Sequence, residues 1–257
     1  MPDYLIFHLY GPMASWGDIA VGEYRNTADT PTRSAIFGLL AAGLGIHRDD
    51  EDGLLNLSRS YKMAVRIDAH GTRLQDFHTT QVPPESSRVR KGYPFFSRKE
   101  ELEIQSTNLK TTLSVREYLH DAAWTICIWS DLETPPYSME ELTDALNAPK
   151  FVPYLGRKSC PLALPMYARV IHDKSFMAAF SATKFPDEMV NQLPLHTDTV
   201  QILWEGDPNI GISNIHTVMR RDHVTNRKRW QFSNRFEHRG VITTSNNNEE
   251  VSSHVLE

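Results

Sequence analysis

YLIFHLYGP, residues 4–12, decides how the chain begins to fold. Its aromatic-rich apolar run ends at Gly-Pro, which predicts a buried strand over residues 4–10. TPTRSAIFGLLAAGLG, residues 30–45, then predicts a helix with Thr30 as N-cap and Pro31 at the first helical position. Because this helix is apolar on nearly every side, we expect it to lie on a sheet.

Strands and helices alternate in the next hundred residues. DDEDGLLNLS (49–58) predicts a short helix, and YKMAVRIDA (61–69) alternates apolar and charged residues as a half-exposed strand does. TTLSVREYL (111–119) and AAWTICIW (122–129) predict an antiparallel strand pair. SMEELTDALN (138–147) predicts a helix with a capping box. This order is compatible with an α+β, ferredoxin-like domain.

Composition sets limits on the class of protein. The 257 residues are 40% apolar and 23% charged, as in ordinary globular proteins, and no apolar run approaches the roughly 18 residues of a membrane span. The N-terminus does not resemble a secretory signal, and only two cysteines are present. We therefore expect a cytoplasmic protein without disulfides or membrane contact, with Cys127 in the core.

Charge is unevenly distributed along the chain. The net charge is −5, yet residues 85–99 sum to +4, residues 219–240 sum to +5, and the remainder sums to −14. Such segregation is expected when one surface binds a polyanion. Two solvated basic loops are the alternative.

Residues 82–110 form an excursion rich in proline, serine and charge. It combines cations with rings, a pairing that suits unpaired nucleotides because cations bind phosphates and rings stack on bases. A flexible charged loop without a ligand is the alternative. The cations are Arg88, Arg90, Lys91, Arg98 and Lys99, and the rings are Tyr93, Phe95 and Phe96.

FVPYLGRKSCPLALP, residues 151–165, is a proline-stiffened loop around Gly-Arg-Lys-Ser-Cys. It is not a Walker phosphate loop, because Arg157 separates the glycine from Lys158 and a proline interrupts any following helix. No base lies nearby in sequence to activate Cys160 as a nucleophile. The loop therefore predicts a set of donors for a phosphodiester backbone.

Ring side chains elsewhere have two interpretations each. Trp16, in GPMASWG, could stack a base or anchor its loop to the core. The histidines form no recognised metal motif. His78 and His120 flank the excursion, where a metal-independent ribonuclease would place an acid or base, and His8 could reach a ligand if its strand face is open. A structural or surface role is the alternative for each.

Five motifs together resemble a known family. GPMASWG, PTRSAIFGLLAAGLGIHRDD, LQDFHT, REYLHDAAWTICIW and PYLGRKSCPLALP, in this order and spacing, are similar to the CasD family, the RAMP-type subunits of the type I-E CRISPR complex Cascade. The resemblance is dense over residues 1–165 and thinner over residues 220–240.

The resemblance implies a fold. We expect an RNA-recognition-type, ferredoxin-like palm over residues 1–165 with a long β-hairpin thumb over about 80–115, and a smaller C-terminal β-rich part over residues 166–242. The polar residues 243–257 are expected to be a disordered tail.

The resemblance also implies a function. The family grips the 5′ handle of the crRNA, caps the backbone filament in antiviral defence and lies near the large subunit that reads the PAM, so target DNA is an indirect partner. Another subunit cuts the repeat RNA in type I-E systems, so we expect neither catalysis nor cofactor nor metal. The implied RNA surface is Trp16, Arg33, Ser34, His78, Arg88, Arg90, Lys91, Arg98, Lys99, Arg116, Tyr118, Arg157, Lys158, Ser159 and Cys160.

Two alternatives remain at this point. Type I-C relatives do cut repeat RNA, so the chain could be an endoribonuclease that uses His78 or His120 with a nearby lysine and leaves a cyclic phosphate. A protein-only scaffold with solvated basic loops is the other.

Overall fold

The computed structural model describes residues 1–17, 20, 22–83, 97, 99–100, 103, 109–183, 199–226, 229 and 231–243. Within them the chain is a mixed α/β fold whose sheets are mostly antiparallel. No helix in these ranges has the length and apolar character needed to cross a membrane.

The strands are β1 (Asp3–Tyr10), β2 (Met13–Ala14), β3 (Trp16–Gly17), β4 (Tyr24–Arg25), β5 (Thr27–Ala28), β6 (Lys62–Ala69), β7 (Thr72–Val82), β8 (Lys110–His120), β9 (Ala123–Trp129), β10 (Arg169–His172), β11 (Thr199–Trp204), β12 (His216–Asn226) and β13 (Gln231–Thr243). The helices are α1 (Arg33–Leu44), α2 (Glu51–Ser60), α3 (Met139–Asn147) and α4 (Phe176–Ser181).

The main sheet has the order β10-β1-β9-β6-β11-β13-β12 and is antiparallel throughout. One face carries α1 and α3 over a core that includes Phe7, Trp124 and Ile126. The other face carries α4, whose Phe176 stacks on Trp129 with ring centroids 5.1 Å apart. Because both faces are covered, the central strands are mostly apolar on both sides, apart from one buried polar group around His8.

A smaller sheet has the order β2-β8-β4, with β7 paired along the whole length of β8. The β7–β8 register runs from Thr72 opposite His120 to Val82 opposite Lys110. The paired ends of these two strands therefore frame the excursion predicted between them. A third sheet is the β3–β5 pair.

Several predicted elements are confirmed. The first strand, the helix over 49–58 and the capping box at Ser138 and Glu141 are present. The first helix is present too, but its N-cap is Thr32, whose hydroxyl accepts from the Ala35 amide, so the expected cap at Thr30 is wrong. Gly45 ends that helix in the left-handed conformation.

The strands predicted over 61–69, 111–119 and 122–129 are present, but the half-exposure of the first and the pairing of the other two are wrong. The strand over 61–69 is buried except at Lys62, because β6 lies in the middle of the main sheet and its buried Arg66 and Asp68 pair with each other. The segments 111–119 and 122–129 do not pair with each other: β8 belongs to the small sheet and β9 to the main sheet. Asp121, at φ 55°, turns the chain from one sheet to the other.

His8 lies inside the main sheet, in contact with a buried polar group. Its side chain is 2% exposed, and its Nδ1 is 3.0 Å from the Thr125 hydroxyl, which donates to Asp68. Arg66 donates to the same carboxylate at 2.6 Å. Burial, followed by the positive charges of Arg66 and Arg169, lowers the pKa of His8 from 6.5 to about 3. The strand face of His8 is closed, so this side chain is not available to a ligand.

A buried ion cluster joins α1 to the last three strands. Arg33 forms an ion pair with Glu205 and donates to the carbonyl groups of Ser58 and Tyr61, while its backbone amide donates to Asp222 at 2.9 Å. Arg235 donates to Asp222 at 2.6 Å and to Glu237 at 2.8 Å. Burial alone would raise the pKa of Asp222, but the hydrogen bonds and charge of Arg235 hold it below its ordinary value.

Replacing Arg33 tests how much this ion cluster contributes to the free energy of unfolding. Arg33→Ala leaves buried carboxylates without their partner, so we expect the free energy of unfolding to fall by about 3 to 5 kcal/mol, measured by urea denaturation. Arg59→Ala, on the exposed side of α2, is the control and should change it by less than about 0.5 kcal/mol. An unchanged midpoint for Arg33→Ala would contradict the structural role.

The His8 pKa predicts a pH dependence of stability. Between pH 6.5 and pH 3, His8 is protonated in the unfolded chain but stays neutral in the folded one. The contribution of neutral His8 to the free energy of unfolding is therefore present above pH 6.5 and is lost as the pH falls towards 3. His8→Asn cannot titrate. We expect the free energy of unfolding of the wild type, relative to that of this variant, to decrease by about 2 kcal/mol between pH 7 and pH 5, measured by urea denaturation. A constant difference would show that His8 already binds the proton when folded.

Candidate nucleic-acid interface

The loop that carries Gly-Arg-Lys-Ser-Cys is a closed turn. The Leu155 amide donates to the Cys160 carbonyl at 2.7 Å, and the Cys160 amide donates to the Arg157 carbonyl at 2.9 Å. Lys158 and Ser159 are exposed at the tip of this turn. The turn therefore presents donors outward while its ends are tied together.

Gly156 fixes this turn against the segment between β2 and β3. It has φ 84°, and a Cβ there would collide with the carbonyl oxygen of Ser15. The Ser15 amide donates to the Leu155 carbonyl at 3.0 Å. Only glycine allows this close approach without strain.

Arg157 is held between the loop and the small sheet. Its guanidinium lies 4.8 Å from the centre of the Tyr118 ring on β8, and its Nη2 donates to the Arg25 carbonyl on β4 at 3.1 Å. Its Nη1 is buried and has no hydrogen-bond partner within the described ranges. The guanidinium is planar and rigid, so Nη1 is a fixed donor whose hydrogen bonds are not used by any described residue.

The strand register gathers more cations beside Arg157. Arg116 on β8 lies next to Arg25 on β4 and opposite Asp76 on β7, and side chains two apart on β8 share a face, so Arg116 lies on the Tyr118 side. Asp76 is 3.0 Å from His78, whereas the Arg116 guanidinium has no ion pair among the described residues. We call the surface of Arg25, Arg116, Arg157 and Lys158 the basic face.

The opposite face of the small sheet differs in character. Tyr24, Val115 and Phe77 form one cross-strand row there, with Tyr24 61% and Phe77 63% exposed. Arg73 on this face is already paired with Asp29 at 2.5 Å and Glu117 at 3.0 Å. The two faces therefore divide into a cationic side and a largely neutral, aromatic side.

The structure brings together part of the predicted RNA surface. Arg116, Tyr118, Arg157, Lys158 and Ser159 meet around the basic face. Tyr118 is 5% exposed and serves as the platform under Arg157.

Trp16 and Cys160 lie beneath this surface, and both are fully buried. The Trp16 ring packs edge-on against Trp124 with centroids 5.2 Å apart, and its indole N–H has no hydrogen-bond partner in the described ranges. Burial raises the pKa of the Cys160 thiol, which opposes nucleophilic reactivity.

Other predicted residues lie elsewhere. Arg33 belongs to the buried ion cluster, and Ser34 lines a separate pocket beside α1 and α2. His78 is on the Arg116 side of β7, and Lys99 is exposed. Arg88, Arg90, Lys91 and Arg98 lie outside the described residues. In the described ranges no group of three metal-binding side chains occurs.

Arg25 is a member of the basic face that sequence reasoning missed. It follows an aromatic residue in a strand of only two residues, and its position depends on parallel pairing with Arg116, some ninety positions later. Nothing local in the sequence reveals such a pairing.

Comparisons with known proteins agree with this architecture. Residues 4–237 match the family described as CRISPR-associated protein (Cas_Cas5). Over 177 residues the chain is 38% identical to the protein of Escherichia coli (strain K12) named CRISPR system Cascade subunit CasD, covering 65% of this chain and 70% of that protein.

Solved structures give a similar result. A chain of a CRISPR RNA-guided surveillance complex superposes with a TM-score of 0.61 at 25% identity, over 94% of this chain and 90% of that one. A crystal structure of a Cas protein, 22% identical, has a TM-score of 0.55 over 94% of this chain and 95% of that one, and supports the fold alone. The resemblance to CasD is confirmed, and this chain belongs to the CRISPR-associated protein (Cas_Cas5) family.

Proposed function

We propose that this chain is a non-catalytic, RNA-binding subunit of a type I-E Cascade complex, and that it grips the 5′ handle of the crRNA with the basic face. The observation that carries the proposal is Arg157, which lies across Tyr118 on the face of β8 that also carries Arg116, and whose Nη1 has no hydrogen-bond partner among the described residues. Guanidinium groups match phosphate oxygens with paired hydrogen bonds. The name of the Escherichia coli relative supports the assignment to Cascade.

The fold supports this proposal at a finer level. Six of its elements, β1, α1, β6, β9, α3 and β10, follow one another as β-α-β-β-α-β when α2 and the strands of the smaller sheets are left aside, and their strands lie side by side in the order β10-β1-β9-β6. We infer from this order that these elements form the predicted ferredoxin-like palm. The excursion between β7 and β8 would be the thumb over about residues 80–115.

We keep the division into a palm over residues 1–165 and a C-terminal part over residues 166–242 as a prediction. Strands from both segments share the main sheet, and β10, the fourth strand of the palm arrangement, begins at Arg169, beyond this boundary. The predicted tail over residues 243–257 lies outside the described residues except for Thr243.

Preorganisation explains how the basic face would bind RNA. Arg157 is fixed by the ring below it and by the Arg25 carbonyl, so little side-chain entropy remains to be lost on binding. Arg116 and Lys158 add charge on either side. The thumb cations Arg88, Arg90, Lys91, Arg98 and Lys99 would extend this surface along the strand of RNA.

Binding without cleavage suits the groups near the basic face. The Cys160 thiol is buried with a raised pKa, which opposes nucleophilic reactivity. His78 lies 3.0 Å from Asp76 and His120 lies 2.8 Å from Asp121, and because a carboxylate can orient an imidazole for acid–base chemistry, the cleavage assay below decides between binding and cleavage for these two histidines. No cofactor is required by a binding role.

The partners follow from the same assignment. Besides the crRNA, we propose the backbone filament subunit, which this chain would cap, and the large PAM-reading subunit, with target DNA as an indirect partner. The complex would act in antiviral defence in the cytoplasm.

Removing two cations of the basic face tests the RNA proposal. We expect Arg116→Ala with Arg157→Ala to weaken binding of a crRNA 5′-handle oligonucleotide by at least tenfold at 0.1 M salt. The log-log salt slope should fall by about 1.4, since each lost phosphate contact removes about 0.7. Fluorescence anisotropy over a salt series measures both.

Arg59→Ala with Lys62→Ala removes the same charge from another part of the surface and serves as the control. Equal losses in the two double variants would mean that net charge alone attracts the RNA, and the basic face would then have no special role.

Incubation of the purified chain with labelled repeat RNA, without metal, tests the endoribonuclease alternative. We expect intact RNA after hours, analysed on a denaturing gel. Defined fragments ending in a cyclic phosphate, lost in His78→Ala or His120→Ala, would establish the enzyme instead.

A further inference from the structure

The second basic window of the sequence, residues 219–240, lies on the β12–β13 hairpin and not on the basic face. Residues 216–243 contain seven cations but only two acids, Asp222 and Glu237. Both acids are buried, and they accept hydrogen bonds from Arg235 and Arg239. Two cations thus neutralise the two acids, and a charge of +5 is left without a counter-charge in this segment.

The cations that carry this charge lie between residues 220 and 229. Arg221 and Arg229 are exposed, and neither forms an ion pair with a described residue. The Arg221 Nε donates to the Phe232 carbonyl at 3.3 Å, and the Arg229 backbone amide donates to the Asn226 side chain at 2.8 Å. These bonds hold both residues on the hairpin, while most of their guanidinium donors bind no described residue.

An exposed ring lies on the same hairpin. Met219 and Phe236 are opposite each other on β12 and β13, and they are 64% and 67% exposed. Asp222 points inward to Arg235, so the exposed Arg221 before it points outward. An exposed ring with cations nearby suits an unpaired nucleotide, because the ring stacks on a base and the cations bind phosphates.

Charge changes along the hairpin in a way that gives a bound strand a direction. Towards the C-terminus of β13, His238 contacts the Gly206 carbonyl, next to the exposed acid Asp207. In the other direction the hairpin ends at the Asn226–Gln231 pair, beside Arg229. Five residue steps separate Phe236 from Gln231, or about 17 Å. A polyanion would therefore run from Phe236 towards Arg229, away from Asp207.

A protein is the competing occupant of this surface. β12 is an edge strand of the main sheet, but register shifts interrupt it after Arg220 and after Val224, which disfavours the addition of a further strand. An acidic protein could pair with the cations. The exposed Phe236 favours nucleic acid, because ion pairs with an acidic protein need no ring.

We propose that the β12–β13 hairpin is a second binding site, for single-stranded nucleic acid, in which Phe236 stacks on a base while Arg221 and Arg229 bind phosphates. Neither contact reads a base edge or a 2′-hydroxyl, so the chemistry fits RNA and DNA alike. The source is either the crRNA or a strand of the target DNA. This site is separate from the proposed grip on the handle, and only the experiment on the assembled particle rests on the proposed function.

Replacing the ring tests the stacking contact. The Arg116→Ala, Arg157→Ala chain, which lacks two cations of the basic face, is the background, and an oligouridylate of about 12 nucleotides is the probe. We expect Phe236→Leu to weaken binding at least fivefold and Phe236→Trp to retain it, measured by fluorescence anisotropy, because leucine keeps the apolar area but has no ring face. Equal binding by the leucine variant and its parent, with unchanged Tm, would overturn the proposal.

Replacing the cations tests the phosphate contacts. In the same background, Arg221→Ala with Arg229→Ala should lower the log-log salt slope for oligouridylate by about 1.4. Arg59→Ala with Lys62→Ala removes the same charge elsewhere and should leave the slope unchanged. An equal decrease in both double variants would show attraction by net charge and would contradict a site on the hairpin.

A crosslink from the hairpin identifies the source of the strand. Both native cysteines, Cys127 and Cys160, are buried, so Met219→Cys introduces an exposed thiol that a benzophenone maleimide can modify. In a particle reconstituted with the other Cascade proteins, we expect ultraviolet light to crosslink this position to labelled crRNA or to labelled target DNA. Either product supports the site and names its ligand. Crosslinks to protein without any to nucleic acid would overturn the proposal.

Handle binding separates this site from the basic face. If Arg116→Ala with Arg157→Ala leaves handle binding unchanged, the proposed grip of the basic face fails, and the ring and cation variants still test the hairpin. If those hairpin variants bind oligouridylate as their parent does, the hairpin fails while the loss at the basic face is unaffected.

Discussion

The fold depends on one group of buried charges. Arg33, at the first position of α1, meets Glu205, which directly follows β11, and Asp222 of β12, and Arg235 of β13 completes the group. Burying these charges carries a large desolvation free energy, and the hydrogen bonds and ion pairs offset it only when every partner is in place. The first helix and the last three strands must therefore assemble together. The pocket beside α1 and α2 forms only after this assembly, since α1 and β12 provide two of its walls.

Sequence reasoning succeeded where the signal is local. The apolar run of β1, the acidic start of α2 and the capping box at Ser138 each lie within a few residues and were predicted correctly. It failed where a residue distant in the sequence determines whether a charged side chain is buried. In the sequence, Arg66 and Asp68 are typical of an exposed strand face. In the structure they are buried, because they form hydrogen bonds with each other and with Thr125 inside the sheet. Arg33 looked like an RNA ligand because its carboxylate partners are some 170 or more positions away.

The 151–165 loop links the pocket beside α1 to the basic face. Its first residues bind the end of α1, with the Phe151 amide donating to the Ala42 carbonyl at 3.0 Å, and form part of the pocket. A few residues later, Gly156 and Arg157 pack against Ser15 and Tyr118. Prolines and the Leu155–Cys160 hydrogen bond stiffen the connection. One short, stiff segment thus contributes to both the pocket beside α1 and the basic face, so the relative position of the two is nearly constant.

The order of strands in the main sheet has a consequence for biosynthesis. β6 pairs on one side with β11, which begins only at residue 199. During translation the edge of β6 therefore waits on the order of ten seconds for its neighbour to leave the ribosome. An apolar strand with unpaired amide and carbonyl groups is prone to aggregate over such an interval. We therefore expect the yield of native chain to depend on the supply of chaperones and on how fast the part of the message between β6 and β11 is translated.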